Sequence, residues 1–191
     1  NGLQGFDLYQ KTVGIIGLGA IGSIFANICL GFGCKVIAYD PYVSAFPNVE
    51  MLELKQILTQ SDIISLHCPL SAQTYHILDK KHLNLIKPNL ILINTGRGAL
   101  IDSKALIDVL KKGKILGVAL DVYEQESGIF FGDHSQEIIQ DDVLMRLIGF
   151  PNVMISSHQG FLTHEALHEI ARMTISNLND LEKGLPCVNQ V

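Results

Sequence analysis

Three glycines, one aspartate, one arginine, one glutamate and one histidine are the residues of this chain whose types and spacing could do chemistry. Gly17, Gly19 and Gly22 stand in Gly17-Leu18-Gly19-Ala20-Ile21-Gly22, directly after the apolar run Thr12–Ile16. The first glycine suits a tight turn out of a strand, the second lets backbone N–H groups approach a pyrophosphate, and the third lets a helix pack close to the strand. Asp40 follows Gly22 by 18 residues and closes the next apolar run, Val36-Ile37-Ala38-Tyr39. A carboxylate there accepts hydrogen bonds from the ribose hydroxyls of NAD and repels the extra phosphate of NADP, and no Lys or Arg follows it in Pro41–Ala45. Arg97, in Asn94-Thr95-Gly96-Arg97-Gly98, offers a planar fork suited to a carboxylate. Asp121 opens Asp121-Val122-Tyr123-Glu124-Gln125-Glu126, and His158 is presented by Ser156-Ser157-His158-Gln159-Gly160. A cation for a carboxylate, an imidazole that moves a proton at C2 and a carboxylate that tunes the imidazole are what a dehydrogenase of 2-oxo or 2-hydroxy acids needs. Arg97, His158 and Glu126 are the candidates for these roles.

The elements that must position them read as alternating strands and helices. Strand-like runs recur at 12–16, 35–39, 63–66, 90–93, 115–120 and 153–155. The intervening pattern predicts helices over 20–32, 51–60, 79–86, from Asp102 to about 112, a short one near 142–147, and a last one over about 163–183. Ala166, Ile170, Met173 and Leu181 recur on the last one at roughly helical spacing. Six strands with right-handed crossovers predict an α/β fold, a doubly wound parallel sheet (Rossmann fold) in the order 3-2-1-4-5-6, with ligands beyond the carboxyl ends of the strands. The connection from Val122 to Phe150, with Phe130-Phe131, Asp133 and Ile138-Ile139, is long enough to carry function or an interface.

Composition narrows the class further. Only 17% of the 191 residues are charged and 48% are hydrophobic, as expected where parallel strands are covered on both faces. Net charge is −5, and Lys111-Lys112-Gly113-Lys114 is the only basic cluster, so the expectation is no nucleic-acid and no membrane partner. No apolar run reaches about 18 residues and nothing resembles a signal peptide; a soluble, cytoplasmic protein is expected. Cys29, Cys34, Cys68 and Cys187 lack metal or redox spacing and read as buried reduced thiols. The chain opens on Asn1, and the expectation is a piece of something larger.

These residues resemble the NAD-dependent D-isomer-specific 2-hydroxyacid dehydrogenases, most closely their D-lactate dehydrogenase branch. The resemblance runs from Gly2 to the end. It rests on Gly5-Phe6-Asp7-Leu8 leading into Thr12–Gly17, the Thr95-Gly96-Arg97-Gly98 turn, Ala119-Leu120-Asp121-Val122-Tyr123-Glu124-Gln125-Glu126, and His158. The segment from Phe130-Phe131 through Gln140-Asp141-Asp142-Val143 to Asn152-Val153 is similar to the lactate branch, which is longer here than the glycerate and phosphoglycerate enzymes. The resemblance implies that Arg97 binds and polarises the substrate, that His158 is the acid/base and that Glu126 stabilises its imidazolium. It places Ala20 and Ile21 at the pyrophosphate, Asp40 at the adenosine ribose, and Cys68, Pro69 and Thr74 along the cofactor. Thr95 and Asp121 come near the nicotinamide, with Gly96 and Arg97 beside the cofactor.

It further implies pyruvate and D-lactate as the substrate pair, a homodimer through the nucleotide-binding domain, and an NAD-binding domain over 1–191. Within that domain 1–10 is a linking segment, and 163–191 is a helix and tail returning toward a substrate domain that precedes it in the family, so that the chain alone should bind NAD with little or no turnover. Two departures stand out: Ser127-Gly128 follow Glu126 where the family often has Pro, and Ser157 stands where Pro commonly precedes the His. Other readings compete. The family includes corepressors that use NAD to favour dimerisation, and enzymes such as glyoxylate/hydroxypyruvate reductase. His164-Glu165-Ala166-Leu167-His168 matches a zinc-hydrolase motif, without a third ligand at a familiar spacing. His67, His76, His82 and His134 read as ordinary polar residues, His67 standing where it could line the cofactor groove.

Overall fold

A computed structural model describes residues 5–132, 138–187 and 189. Asp133 and His134 lie outside the described residues. The chain divides into two compact units, Asn1–Ser157 and His158–Val191.

The first unit is built on seven parallel strands: β1 (Thr12–Ile16), β2 (Lys35–Tyr39), β3 (Glu50–Met51), β4 (Ile63–Leu66), β5 (Leu90–Asn94), β6 (Ile115–Leu120) and β7 (Val153–Ile155). Their order is β3-β2-β1-β4-β5-β6-β7. The expected order 3-2-1-4-5-6 is therefore present, extended by one strand. Its third place is taken by Glu50–Met51, which pairs with Ile37–Ala38 of β2, while the third run of the sequence, 63–66, is β4 and pairs with β1. The helix expected over 51–60 accordingly starts later: Met51 belongs to β3, and α2 (Leu54–Gln60) opens on a capping box between Glu53 and Gln56.

The remaining helices of this unit are α1 (Ala20–Gly31), α3 (Lys80–Leu85), α4 (Ser103–Lys111) and α5 (Asp142–Ile148). Three aspartates start α3, α4 and α5. Asp79 accepts from the His82 N–H, Asp102 from those of Lys104 and Ala105, and Asp141 from those of Val143 and Leu144.

Strand alternation feeds one core on each face of the sheet. Val13, Ile15, Val36 and Ala38 pack with Ala26 and Cys29 of α1. Ile16, Ile37, Ile64, Leu92 and Leu120 pack with residues of α2 to α5 such as Ile57, Leu83, Leu106 and Leu144. Helices on both faces leave the strands' carboxyl ends as the open edge, and the loops that leave there carry the candidate residues of this unit.

The second unit is dominated by α6 (His164–Glu182), whose first turn is capped by Thr163 through the Ala166 N–H. The chain leaves the helix through Gly184 at φ +66°. No described helix is long and apolar enough to cross a membrane.

Candidate active site at the carboxyl edge of the sheet

The turn from β1 into α1 excludes side chains at two positions and leaves a third open. Gly17 sits at φ +96°, and a Cβ there would fall 2.5 Å from the Cys68 backbone nitrogen. A Cβ on Gly22 would fall 2.0 Å from the Gly17 carbonyl oxygen. Around Gly19 nothing lies within 4 Å of the Cβ position, so its missing side chain keeps the mouth of the turn open. Gly19 is the N-cap of α1 without a side-chain cap, and the first turn holds no acidic residue. The leading N–H groups of a 12-residue helix are thus offered to an anion with no side-chain cap among the described residues competing for them. These features fit the pyrophosphate of a dinucleotide.

Asp40 ties the end of β2 to that turn. Its Oδ2 accepts from the Leu18 N–H at 2.7 Å and its Oδ1 from the Tyr42 N–H at 2.8 Å. Each oxygen keeps a lone pair for a ribose hydroxyl. The hollow beside it, about 610 Å³, is lined by Asp40 to Ser44 and by Met51, Leu52, Glu53 and Gln56. It holds two carboxylates and no cation, which disfavours an additional phosphate. Glu53 is absent from the sequence reading because its place beside Asp40 follows from β3 lying at the edge of the sheet.

On the other side of the turn is a cleft of about 390 Å³ lined by Ile21, His67, Cys68, Pro69, Leu70, Thr95, Gly96 and Arg97. Six of the expected residues meet there, and His67 lines the groove with them. His67 Nε2 lies 2.9 Å from Ser65 Oγ, and burial lowers its pKa from the ordinary histidine value. Burial, with the charge of Asp40 as a lesser cause, pushes the Cys68 thiol up to about 11, so it stays protonated at neutral pH. Of the other cysteines, Cys29 and Cys34 are buried and Cys187 is half-buried. Thr74 does not line the cleft. Its hydroxyl donates to the Pro69 carbonyl at 2.6 Å and accepts from the Ser71 N–H at 2.7 Å, which fixes the loop after β4.

Arg97 is exposed, and its Nη1 donates to the Gly96 carbonyl at 2.8 Å. Among the described residues it makes no ion pair, so the fork is not spent on an aspartate. The turn that carries it is braced by Asn94, 1% exposed, whose Oδ1 accepts from the Gly96 N–H and whose Nδ2 donates to the Arg97 carbonyl. Asp121, 7% exposed, sits between neighbouring strand ends: its N–H donates to the Asn94 carbonyl, and its Oδ1 accepts from Ser156 Oγ at 2.6 Å. Asn94 braces backbone groups two and three residues on, a local Asx-type turn that its place before Gly96 signals, whereas nothing in the spacing marks Ser156, 35 residues from Asp121, as a brace.

Glu126 is half-buried on a single 3₁₀ turn, Glu126–Gly128, where Ser127-Gly128 replace the family's Pro. Its Oε2 accepts from the Tyr123 N–H at 2.9 Å. Arg97 and Glu126 belong to the first unit, and His158 is the first residue of the second. His158 is half-buried with φ +57°, directly after Ser157 at φ +54°. Two successive non-glycine residues in the left-handed region are uncommon and cluster at functional positions. Proline, locked near φ −65°, could not occupy position 157 in this backbone, so the departure at Ser157 and the local conformation go together. His164 and His168 open α6, and among the described residues no group of three His, Cys, Asp or Glu is placed to hold a metal.

Comparison with known proteins agrees with this geometry. The model of the D-isomer specific 2-hydroxyacid dehydrogenase NAD binding domain matches residues 1–160. A 2-hydroxyacid dehydrogenase A from Aspergillus oryzae is 50% identical over 192 residues, spanning all of this chain and 55% of that protein. A D-lactate dehydrogenase from Escherichia coli K12 is 47% identical, spanning all of this chain and 59% of that protein. The crystal structure of D-lactate dehydrogenase with NAD+ from Lactobacillus jensenii superposes with a TM-score of 0.89 at 32% identity, covering all of this chain and 58% of that one. The chain thus spans somewhat over half the length of the relatives it matches. The chain belongs to the D-isomer specific 2-hydroxyacid dehydrogenases, as their NAD-binding domain.

Proposed function

We propose that residues 1–191 are the nucleotide-binding part of an NAD-dependent enzyme that interconverts a 2-oxo acid and a D-2-hydroxy acid, pyruvate and D-lactate first among them. In this reading 1–10 is a linking segment and 163–191 returns toward a substrate domain. The observation that carries it is the cleft in which Arg97, with no ion-pair partner among the described residues, shares a wall with Ile21, Cys68 and Thr95 at the mouth of the glycine turn. NAD, when bound, supplies or accepts the hydride. The chain's own residues do the rest. Gly19, Ala20 and Ile21 offer backbone N–H groups to the pyrophosphate, and Asp40 accepts from the ribose. Pro69 and Cys68 line the cofactor's path, with Thr74 holding that loop in shape; Thr95, Gly96 and Asp121 bound it near the reacting end. Arg97 holds the substrate carboxylate and polarises its carbonyl, an effect of orientation and of charge together. His158 gives a proton to the carbonyl oxygen in one direction and takes it from the hydroxyl in the other, and Glu126 stabilises the imidazolium.

Titration of this chain with NADH and NADPH by calorimetry tests the cofactor half of the reading. The expected result is micromolar binding of NADH and binding of NADPH weaker by roughly two decades, since two carboxylates face the place of the extra phosphate. Equal affinities would remove Asp40 and Glu53 as the selecting groups.

The reading includes a soluble cytoplasmic homodimer joined through this domain. It is supported by the exposed apolar face of α1, where Ile24 and Ile28 are followed at helical spacing by Phe32 at the helix's C-cap. Light scattering on the full-length protein is expected to give twice the chain mass, and Ile28→Glu to shift it toward monomer. A monomer at high concentration, with and without NAD, would sink this part of the reading.

A further inference from the structure

Glu124 and His76 form a pair outside the site residues considered so far. His76 Nε2 lies 2.7 Å from Glu124 Oε1, and the two side chains are 24% and 23% exposed. A carboxylate only accepts, so Nε2 is the donor. Tyr75 stacks on the His76 ring with centroids 4.0 Å apart, and its hydroxyl donates to the same Glu124 oxygen at 3.4 Å. His76 is held at φ +49°, a left-handed conformation that is costly for a non-glycine residue and so needs support from its surroundings.

That support comes from two loops at once. The backbone N–H of His76 donates to the Ala99 carbonyl at 2.8 Å, in the 3₁₀ turn Gly98–Leu100 that directly follows Arg97. Its ring holds Glu124, two residues before Glu126. The same two loops touch directly at Gly98, where a Cβ would fall 2.0 Å from the Tyr123 carbonyl carbon. Tyr123 is anchored on its other side, its hydroxyl donating to both Asp141 oxygens at 3.0 and 2.8 Å. The Glu126 segment is therefore pinned to α5 by Tyr123, to the Arg97 turn by the Gly98 contact, and to the loop after β4 by the His76–Glu124 pair.

We propose that His76 is a positioning residue: through its backbone it fixes the turn that carries Arg97, and through its ring it fixes the segment that carries Glu126, so that the substrate-binding cation and the acid/base partner keep one spacing. The role rests on the dehydrogenase reading above. It leaves the glycine turn and Asp40 untouched, because none of the bonds of His76 reaches them.

The test compares His76→Ala, His76→Gln, Glu124→Ala and the double variant His76→Ala/Glu124→Ala in the full-length protein. His76→Ala is expected to lower kcat roughly ten-fold and to raise KM for pyruvate, as loss of orientation does, with the Kd for NADH kept within about two-fold. The double variant should be no worse than either single, since both remove one bond. His76→Gln should recover much of the activity, its amide N–H replacing the ring donor. Hydrogen exchange should quicken in peptides covering 97–100 and 122–126 of His76→Ala. Four outcomes would overturn the role: single losses that multiply in the double variant, no difference between Gln and Ala at 76, equal weakening of NADH binding, or unchanged exchange in both peptides. If the unaltered protein reduces no 2-oxo acid, the dehydrogenase reading fails, while the exchange comparison still decides whether His76 holds the two loops together.

Discussion

Replacing His158 by alanine in the full-length protein is expected to lower kcat by roughly two to four decades, the usual yield of a positioned general acid–base, while leaving the Kd for NADH unchanged. The split follows from where the groups stand. The residues proposed to face the cofactor, Gly17 to Gly22, Asp40 and the Cys68–Arg97 cleft, all belong to the first compact unit, whereas His158 opens the second. Its loss removes the proposed proton donor and none of the cofactor contacts proposed for the first unit. Stopped-flow or steady-state assays with pyruvate, beside calorimetry with NADH, read the two quantities separately. Near-normal turnover in His158→Ala would end its assignment as acid/base; weakened NADH binding with unchanged kcat would recast it as a cofactor residue. The left-handed backbone at Ser157 and His158 adds a second handle. Ser157→Pro cannot adopt φ +54°, so it should disturb the imidazole's placement and reproduce part of the His158→Ala loss in kcat.

The second large effect is expected at the glycine turn, where two substitutions of the same size separate fold from binding. In Gly22→Ala the new methyl would stand 2.0 Å from the Gly17 carbonyl oxygen and 3.3 Å from His67 Cβ, so α1 must move away from β1. Forced overpacking of this kind costs about 1–3 kcal/mol, which for a domain of this size lowers Tm by several degrees. It also displaces the helix terminus proposed to hold the pyrophosphate, and NADH binding should weaken by roughly 100-fold, equivalent to about 2.8 kcal/mol. In Gly19→Ala the methyl meets nothing within 4 Å, so Tm should hold while NADH affinity falls, because the methyl occupies the mouth of the turn. Differential scanning calorimetry and titration of both variants check the pair. Loss of Tm in Gly19→Ala, or full NADH affinity in Gly22→Ala, would show that the turn does not bind the cofactor in this way.

What could be read ahead of the structure divides by range of interaction. Six strands and the helices between them follow from local periodicity, and Asp102 announces the start of α4 because a cap acts on N–H groups two and three residues away. The strand Glu50–Met51 escaped because it is too short to alternate, and Met51 falls at the start of a helical pattern. The glycine spacing and Asp40 were legible because backbone geometry dictates them. The long-range braces were not. Ser156 on Asp121, Glu53 beside Asp40 and His76 on Glu124 owe their roles to segments distant in sequence brought side by side, and short-range spacing carries no trace of that. His76 in particular read as an ordinary polar residue.

The central place of β1 has a bearing on how the chain is made. Within this domain β1 is synthesised before both of its neighbours in the sheet, and β2 and β4 then arrive at different times. After β2 ends at Tyr39, 27 more residues must be synthesised before β4 is complete at Leu66. At ordinary elongation rates that is roughly one to five seconds during which one side of an almost wholly apolar strand has no partner for its backbone groups. Until then the nascent chain carries a sticky edge, and a chaperone that shelters extended apolar segments would find its substrate in this interval.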